Sequence, residues 1–500
     1  MAKLDFNSYL TATGEVGFVD RVVSSLVYVQ GLPGIRLEEL VMFESGEIGQ
    51  ATSISEEAVE LLNFSRTQIK VGSRVARTGS FLQIPVGDML LGATINSLGH
   101  SLNPTKPLSP MTETRAVDVT PTGISTRARI KRACNTGISL IDLMIPLGKG
   151  QRELVIGDQK TGKTRVLLRI LLTQIREGSI GIYAAIGKSQ LAIKQIEEQL
   201  NQLKILNQIV IVASSANDGA GMIFLTPYTA LTIAEYFKDQ GRDVIIMLDD
   251  LSVHAKVYRE ISLLGRRFPG RNSYPGDIFY LHSKLLERAG NFIHKEKGEA
   301  SITCLPVTEA PQGDITGYIQ TNIMSMTDGH LFFDHHLFSE GHRPAIDPFI
   351  SVTRVGRQTQ SRLKQQIARE STSFLRNMEK IHTFKSFGAE MSEQIRRALE
   401  KEDRLVQFFD QTAFDTIPSG IQIVLFALAW SDMWREKSKS DVRFLIQKIV
   451  FMAETKPEIR KRADDFVAGF DSLDALLVGI KGFDIFGEEK SLINRFNTFV

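Results

Sequence analysis

Cysteine is almost missing from these 500 residues: Cys134 and Cys304 are the only two, far apart and without C-x-x-C spacing. That excludes a disulfide-stapled secreted scaffold and makes a reducing compartment the expectation. Long apolar runs are missing too. The longest, Ile423 to Trp430, falls well short of the ~18 residues that span a bilayer. Neither charge sign dominates, with 59 Lys plus Arg against 57 Asp plus Glu and a net charge of +2. A chain that neutralised many nucleic-acid phosphates would carry a basic excess or a basic block, so nucleic-acid binding is not expected. The opening Met-Ala-Lys-Leu-Asp-Phe lacks the apolar centre of a signal peptide and the Arg-rich character of a transit peptide. The expectation is a soluble intracellular chain, with docking on a membrane complex left open.

What is present is ordinary globular composition, 43% hydrophobic and 23% charged, which excludes disordered and collagen-like classes. At ~150 residues per domain the length suggests about three domains. Up to about Pro85 the pattern is of short strands, at Val16–Val19, Ser25–Val29 and Glu39–Phe43, separated by Gly-containing turns. Such spacing favours a small barrel or sandwich. Pro104, Pro107, Pro110 and Pro121 then punctuate a passage with no room for a long helix. From about Gly150, apolar strands at Glu153–Ile156, Ile180–Ile186, Ile209–Val212 and Val244–Leu248 alternate with helical patterns such as Arg165–Arg176. Continuous apolar strands between helices signal a mostly parallel sheet covered on both faces. Past Gln360, Leu363, Ile367, Leu375 and Met378 recur at helical spacing, and Ile423–Trp430 and Val442–Met452 also look helical. The boundaries therefore fall near Ile84 and Gln360. They divide the chain into a β-barrel at 1-83, an α/β nucleotide domain at 84-360 and a helical bundle at 361-500. No internal repeat or low-complexity stretch is evident.

The most specific motif is Gly157-Asp158-Gln159-Lys160-Thr161-Gly162-Lys163-Thr164, which matches G-x-x-x-x-G-K-[ST] between one strand and one helix. Its glycines let successive backbone N–H groups curl around a phosphate, and the helix N-terminus adds favourable partial charge. Lys163 is expected to reach the β- and γ-phosphates, and the Thr164 hydroxyl to ligate Mg²⁺. Val244 to Asp250 is an apolar strand ending in carboxylates, the pattern of a magnesium-orienting strand, with Asp249 in that role. The plainer reading is that Asp249 and Asp250 cap the next helix.

Further blocks extend the pattern. They include Asn135-Thr136-Gly137, Met144-Ile145-Pro146-Leu147-Gly148, Gly150-Gln151-Arg152-Glu153-Leu154, Asp249-Asp250-Leu251-Ser252 and Pro275-Gly276-Asp277-Ile278. Leu285-Leu286-Glu287-Arg288, Arg343-Pro344-Ala345-Ile346 and Ile350-Ser351-Val352-Thr353-Arg354-Val355-Gly356 follow. With these blocks the sequence resembles the alpha subunits of the rotary F-type ATP synthases over nearly its whole length. The resemblance implies an N-terminal β-barrel, a RecA-like nucleotide domain and a C-terminal helical bundle. It also implies a three-plus-three ring with catalytic beta-type subunits around a gamma-type shaft, and a tightly held, unhydrolysed ATP or ADP with Mg²⁺. Location would be peripheral, at the cytoplasmic face of a bacterial inner membrane.

In the catalytic relatives a glutamate that polarises the attacking water follows the strand after the phosphate-loop helix, and alpha subunits usually have Gln there. This chain has Lys188, which when charged cannot accept a proton, so it is expected to bind nucleotide without turning it over. By the same resemblance Arg354 is the arginine finger offered to the neighbouring beta site, Ser351 positions it, and Ser325 lies near that site's phosphate. Arg343 and Gln411 line this chain's own adenine pocket. An always-charged planar fork suits the charge that develops on a transferred phosphoryl group. Several features depart from the family pattern. Gln159-Lys160 replace an Arg-Gln pair, and Arg357-Gln358 replace small residues. Only Met1 to Glu15 precede the first strand where a long helix usually binds the stalk subunit delta, so delta attachment is doubtful.

Three other readings stay in view: a homohexameric RNA translocase of the transcription-terminator type, a self-sufficient export ATPase, and a divergent rotary paralogue with another mechanical task. The first two need their own catalytic carboxylate, which Lys188 denies them. His335-His336 beside Asp334 invite a metal reading, but adjacent histidines on a strand would point to opposite faces. Trp434 to Ser440 reads as a solvated inter-helix loop rather than a nucleic-acid patch.

Overall fold

The computed structural model describes residues 5–65, 67–103, 108, 113–294, 296–386, 392–411 and 415–486. They form two compact units. The first takes the chain up to Arg129, Lys149–Ile156 and Ile175–Asp328; the second takes Ile130–Gly148, Gly157–Gln174 and the chain from Gly329 onward.

The first unit opens with a short helix, Phe6–Thr13, followed by a closed six-stranded barrel. Its strands are β1 (Val16–Val23), β2 (Leu26–Gln30), β3 (Glu39–Phe43), β4 (Ile48–Ile54), β5 (Val59–Asn63) and β6 (Arg74–Phe81), in the spatial order β1-β2-β5-β4-β3-β6. Every pairing is antiparallel, and alternate residues such as Val27, Val29, Val41, Phe43, Leu61 and Val75 fill the interior. Closure removes the free edges that an open sheet of this size would expose. One buried carboxylate, Glu39, is carried inside by a two-pronged contact with Arg77, whose Nε reaches Oε1 at 3.0 Å and whose second nitrogen reaches Oε2 at 3.1 Å.

The proline-punctuated passage holds no α-helix among its described residues. Gln83–Val86 instead pairs antiparallel with Glu113–Ala116. The sheet that follows has the order Glu153–Gly157, Gly298–Glu309, Val244–Asp249, Ile180–Lys188, Ile209–Ser215, Thr94–Ile95, and these strands run parallel. Gly290–His294 adds one antiparallel strand beside Gly298–Glu309. Strands Glu153–Gly157, Ile209–Ser215 and Val244–Asp249 are buried along their whole length, and helices such as Gln190–Gln202, Ala220–Asp239 and Leu251–Leu264 cover the sheet.

The second unit is mainly helical, with helices Arg362–Ser386, Glu393–Phe409, Ser419–Trp430, Lys439–Thr455, Pro457–Ala468 and Leu473–Gly479. The apolar run Ile423–Trp430 is the core of one of them, with Phe426 against both Phe408 and Trp430. Among the described residues no helix is long and apolar enough to cross a membrane. The chain thus combines an N-terminal barrel, a mostly parallel nucleotide-domain sheet and a C-terminal helical region, as its patterning predicts.

Two local expectations need correction. His335 and His336 lie on a short helix, His335–Ser339, and not on a strand, because the Asp334 carboxylate caps the N–H groups of His336 and Leu337. Trp434 is buried in a 3-10 turn, and Ser438 with Asp441 forms a capping box for the next helix, so the polar stretch after it is partly structure. Cys134 and Cys304 are both buried and unbridged.

Candidate functional site

The glycine-rich loop belongs to the second unit. Gly157 ends its strand where no larger residue fits: an added Cβ would lie 2.4 Å from the Phe333 carbonyl oxygen. Lys160 (φ 58°) and Gly162 (φ 91°) take left-handed conformations that fold the loop back on itself. Thr161 is buried, and its hydroxyl donates to the Asp158 carbonyl at 2.8 Å. Helix Lys163–Arg176 starts directly after the loop. The Lys163 ammonium donates to the Gly157 carbonyl at 2.9 Å and to that of Asp158, so it lies over the loop. Thr164 is exposed on the first helical turn, and Gln159 and Lys160 are exposed at the loop's tip. A loop curled under a lysine at a helix N-terminus presents N–H groups and a cation to one anionic group.

Arg343 and Gln411 belong to the same unit as this loop. A Cβ on Gly162 would sit 3.6 Å from the Phe338 ring. The Arg343 guanidinium stacks over the other part of that contact, 3.7 Å from the Phe338 ring centroid, and donates to the carbonyls of Phe338 (2.9 Å) and His342 (2.6 Å). The Gln411 backbone N–H donates to the Arg343 carbonyl at 2.7 Å. Its side chain is occupied elsewhere: Oε1 accepts from the Ser139 N–H at 2.7 Å and Nε2 donates to the Gly137 carbonyl at 3.1 Å.

That Gly137–Ser139 turn is the end of a buried network that sequence reasoning missed. The Asp142 carboxylate accepts from the Thr136 N–H (2.8 Å), the Thr136 hydroxyl (2.7 Å), the Gly137 N–H (2.9 Å) and Gln422 Nε2 (2.7 Å). Thr173 and Gln174, on the phosphate-loop helix, donate to the carbonyls of Thr136 and Asn135. The turn therefore ties the helix that carries the loop to the C-terminal helix holding Gln422.

Asp249 belongs to the first unit, at the end of strand Val244–Asp249. Both of its oxygens are engaged: Tyr183 donates to Oδ2 at 2.5 Å and the Lys188 ammonium to Oδ1 at 2.7 Å. Burial pulls the Lys188 pKa down, but the charge of Asp249 and the hydrogen bond to it outweigh that and hold it above its ordinary value. Burial, reinforced by the Asp249 charge, pushes Asp250 up to about 6, and its carboxylate caps helix Leu251–Leu264 at the Ser252 N–H. The plainer reading thus applies to Asp250 and not to Asp249. The Lys188 ammonium thus stands against one oxygen of the carboxylate expected to orient magnesium. Thr164, the other residue expected at Mg²⁺, is exposed on the first turn of the loop's helix. The one sequence signal for this cluster was Tyr183, a hydroxyl inside an otherwise apolar strand, which needs a buried partner.

Ser325 is also in the first unit, exposed near the end of helix Tyr318–Met326, with its hydroxyl on the Asn322 carbonyl at 2.6 Å. Arg354 and Ser351 are in the second unit, flanking strand Val352–Thr353, which pairs antiparallel with Gly329–Phe333. Ser351 is buried, accepts from the Phe332 N–H at 2.9 Å and donates to the Asp347 carbonyl at 2.6 Å. It therefore pins the segment that ends in Arg354. Arg354 is exposed, with no hydrogen bond or ion pair to the described residues. Its charge still registers at His330, whose pKa is lowered by burial first, with Arg354 adding to that and the Ile350 carbonyl opposing it. No group of His, Cys, Asp and Glu suited to a metal ion occurs among the described residues.

A strand–glycine loop–helix with an overlying lysine, on a parallel sheet, defines a phosphate-loop nucleotide-binding protein. Residues 137–353 match the nucleotide-binding domain of the ATP synthase alpha/beta family. ATP synthase subunit alpha of Clostridium kluyveri is 39% identical over 417 residues, 83% of this chain and 82% of that protein. Two Clostridium botulinum proteins of the same name are 37% identical over 444 residues (89% and 88% covered) and 39% identical over 429 residues (86% and 84%). The chain belongs to the ATP synthase alpha-subunit family.

Proposed function

We propose that this chain holds ATP or ADP at Gly157–Thr164 without hydrolysing it, and lends Arg354 to the nucleotide of a neighbouring catalytic beta-type subunit. The two kinds of subunit alternate in a three-plus-three ring around a gamma-type shaft. The ring is peripheral to the membrane, on its cytoplasmic side. The observation that carries the non-catalytic assignment is the Lys188–Asp249 ion pair, 2.7 Å long. A general base must accept the proton of the attacking water, and an ammonium kept protonated by Asp249 cannot. Within this chain Lys163 and the loop N–H groups orient the phosphates, and Arg343 on the Phe338 ring lies beside them for the base. Thr164 is then the side chain left for Mg²⁺, which would neutralise phosphate charge. Support for the finger is the exposure of Arg354 without a partner and the pinning of its strand by Ser351.

The test is to measure nucleotide binding and phosphate release on one preparation of the isolated chain. Binding without repeated turnover is expected. Sustained hydrolysis would overturn the assignment.

A further inference from the structure

A cleft of about 1440 Å³ runs along helix Arg362–Ser386, and every residue that lines it belongs to the second unit. Six basic side chains line it, Arg357, Arg362, Lys364, Arg369, Arg376 and Lys380, against two acidic ones, Glu370 and Asp471. The whole chain carries only +2, so positive charge is gathered in this one place, and a cleft focuses the field of the charges along it. Arg362, Arg369 and Arg376 recur at every seventh residue, so they share one side of the helix, about 10.5 Å apart along its axis. Lys380, one turn further on, extends the row to about 27 Å. One turn from Arg362 and Arg369 stand Gln365, Gln366, Thr372 and Ser373, where a self-neutralised helix would place acids. Helix Glu393–Phe409 of the same unit does place them, pairing Glu393 with Arg397 and Glu400 with Arg396. On the cleft, Arg369 has a 3.6 Å ion pair to its neighbour Glu370, and Arg362 and Lys380 have none among the described residues. Phe374 and Trp430, half-buried and edge to face with centroids 5.4 Å apart, give the cleft an apolar wall.

We propose that this cleft is the docking site of an acidic amphipathic helix of a partner protein. That helix sets carboxylates at seven-residue spacing against Arg362, Arg369 and Arg376, and apolar side chains against Phe374 and Trp430. Size and shape select the occupant. The cleft exceeds the about 300–1,000 Å³ of a small-molecule pocket, and the row of cations is far longer than one phosphate group. A nucleic-acid strand needs a succession of rings for its bases, and here the two rings are packed against each other. A helix repeats its side chains with the period of the arginines, and complementary charge fixes its register. The surface needs no nucleotide, and it adds a protein partner to the function proposed above.

The full chain would be titrated with two synthetic helical peptides of one composition and about 21 residues, long enough to hold a helix in water. One carries glutamates at every seventh position beside a leucine face, and the other is scrambled. An exposed ion pair is worth a few-fold in affinity, so three in register should make the ordered peptide bind about tenfold more tightly, and less so as salt rises. The triple variant Arg362→Gln, Arg369→Gln, Arg376→Gln should lose that preference and keep its melting temperature, because all three side chains are exposed. Equal binding of the two peptides, or binding of neither, overturns the proposal on the wild type alone, whether or not the variant folds. Tighter binding of polyuridine RNA or inorganic polyphosphate than of the ordered peptide also overturns it, and would assign the cleft to phosphate polyanions. A folded variant that keeps the full preference for the ordered peptide overturns the role of the arginine row.

Discussion

Replacing Asp142 by Asn tests the network that anchors the phosphate-loop helix. The change keeps the shape and alters two of four contacts. The amide oxygen can still accept from the Thr136 N–H and hydroxyl, but the new NH₂ must face the Gly137 N–H and Gln422 Nε2, which are both donors. Two hydrogen bonds to a charged group are lost, each worth about 1.5–3 kcal/mol, so the expected cost is about 3–6 kcal/mol. Gln422→Ala removes only one of these bonds, yet it also leaves a lone pair of a buried carboxylate unpaired. Because both changes act on one carboxylate, their effects should not add. The two tryptophans of the chain, Trp430 and Trp434, both lie in the C-terminal helices, the first on the same helix as Gln422. Intrinsic fluorescence during denaturant unfolding therefore reports the unit in question. Asp142→Asn should shift its transition to clearly lower denaturant and loosen nucleotide binding with it. A variant that unfolds within about 1 kcal/mol of wild type would refute the reasoning, since a lost pair of charge-assisted bonds cannot cost so little in a buried site.

Arginine fingers are worth about 10³- to 10⁵-fold in turnover, so Arg354→Ala should collapse multisite hydrolysis in reconstituted rings while leaving assembly and this chain's own nucleotide occupancy intact. Arg354→Lys should restore little, because an ammonium lacks the planar fork, whereas Lys163→Ala should lower this chain's occupancy first; near-wild-type turnover of Arg354→Ala would remove its cross-subunit role. Acid should weaken the first unit through His254, which is buried between His282 and the Phe224 carbonyl and whose pKa burial pushes down to about 4. The unfolded imidazole takes a proton near pH 6.5, so this stability is present at pH 7 and is lost as pH falls, by about 3 kcal/mol at pH 4. Asp250, raised to about 6, works in the opposite sense over the same range, so the measurement is the difference between wild type and His254→Gln. A pH dependence identical in the two proteins would remove His254 as its source.

Much of this molecule is settled locally, in the residues themselves. The β-branched runs with Gly turns make barrel strands, the wholly apolar segments from Glu153 to Asp249 can only be covered strands, and the spacing beyond Gln360 gives helices, because side-chain periodicity of two or 3.6 is decided by near neighbours. The phosphate loop is local as well: its glycines, lysine and flanking strand and helix are contiguous in the chain. Even the misread His335-His336 had a local cause, the capping carboxylate of Asp334 two residues away. What the chain alone does not decide is who meets whom across it. Lys188 and Tyr183 reach Asp249 from 61 and 66 residues away because parallel strands stack in one register, and no periodicity announces that register. Asp142 meets Gln422 across 280 residues, and Gln411 spends its carboxamide on the Gly137–Ser139 turn, because helices pack by the shape of their faces after the chain has closed on itself. The tertiary structure therefore decides which carboxylate keeps a free oxygen for a ligand, since a charge taken out of water accepts whichever partner folding brings within reach.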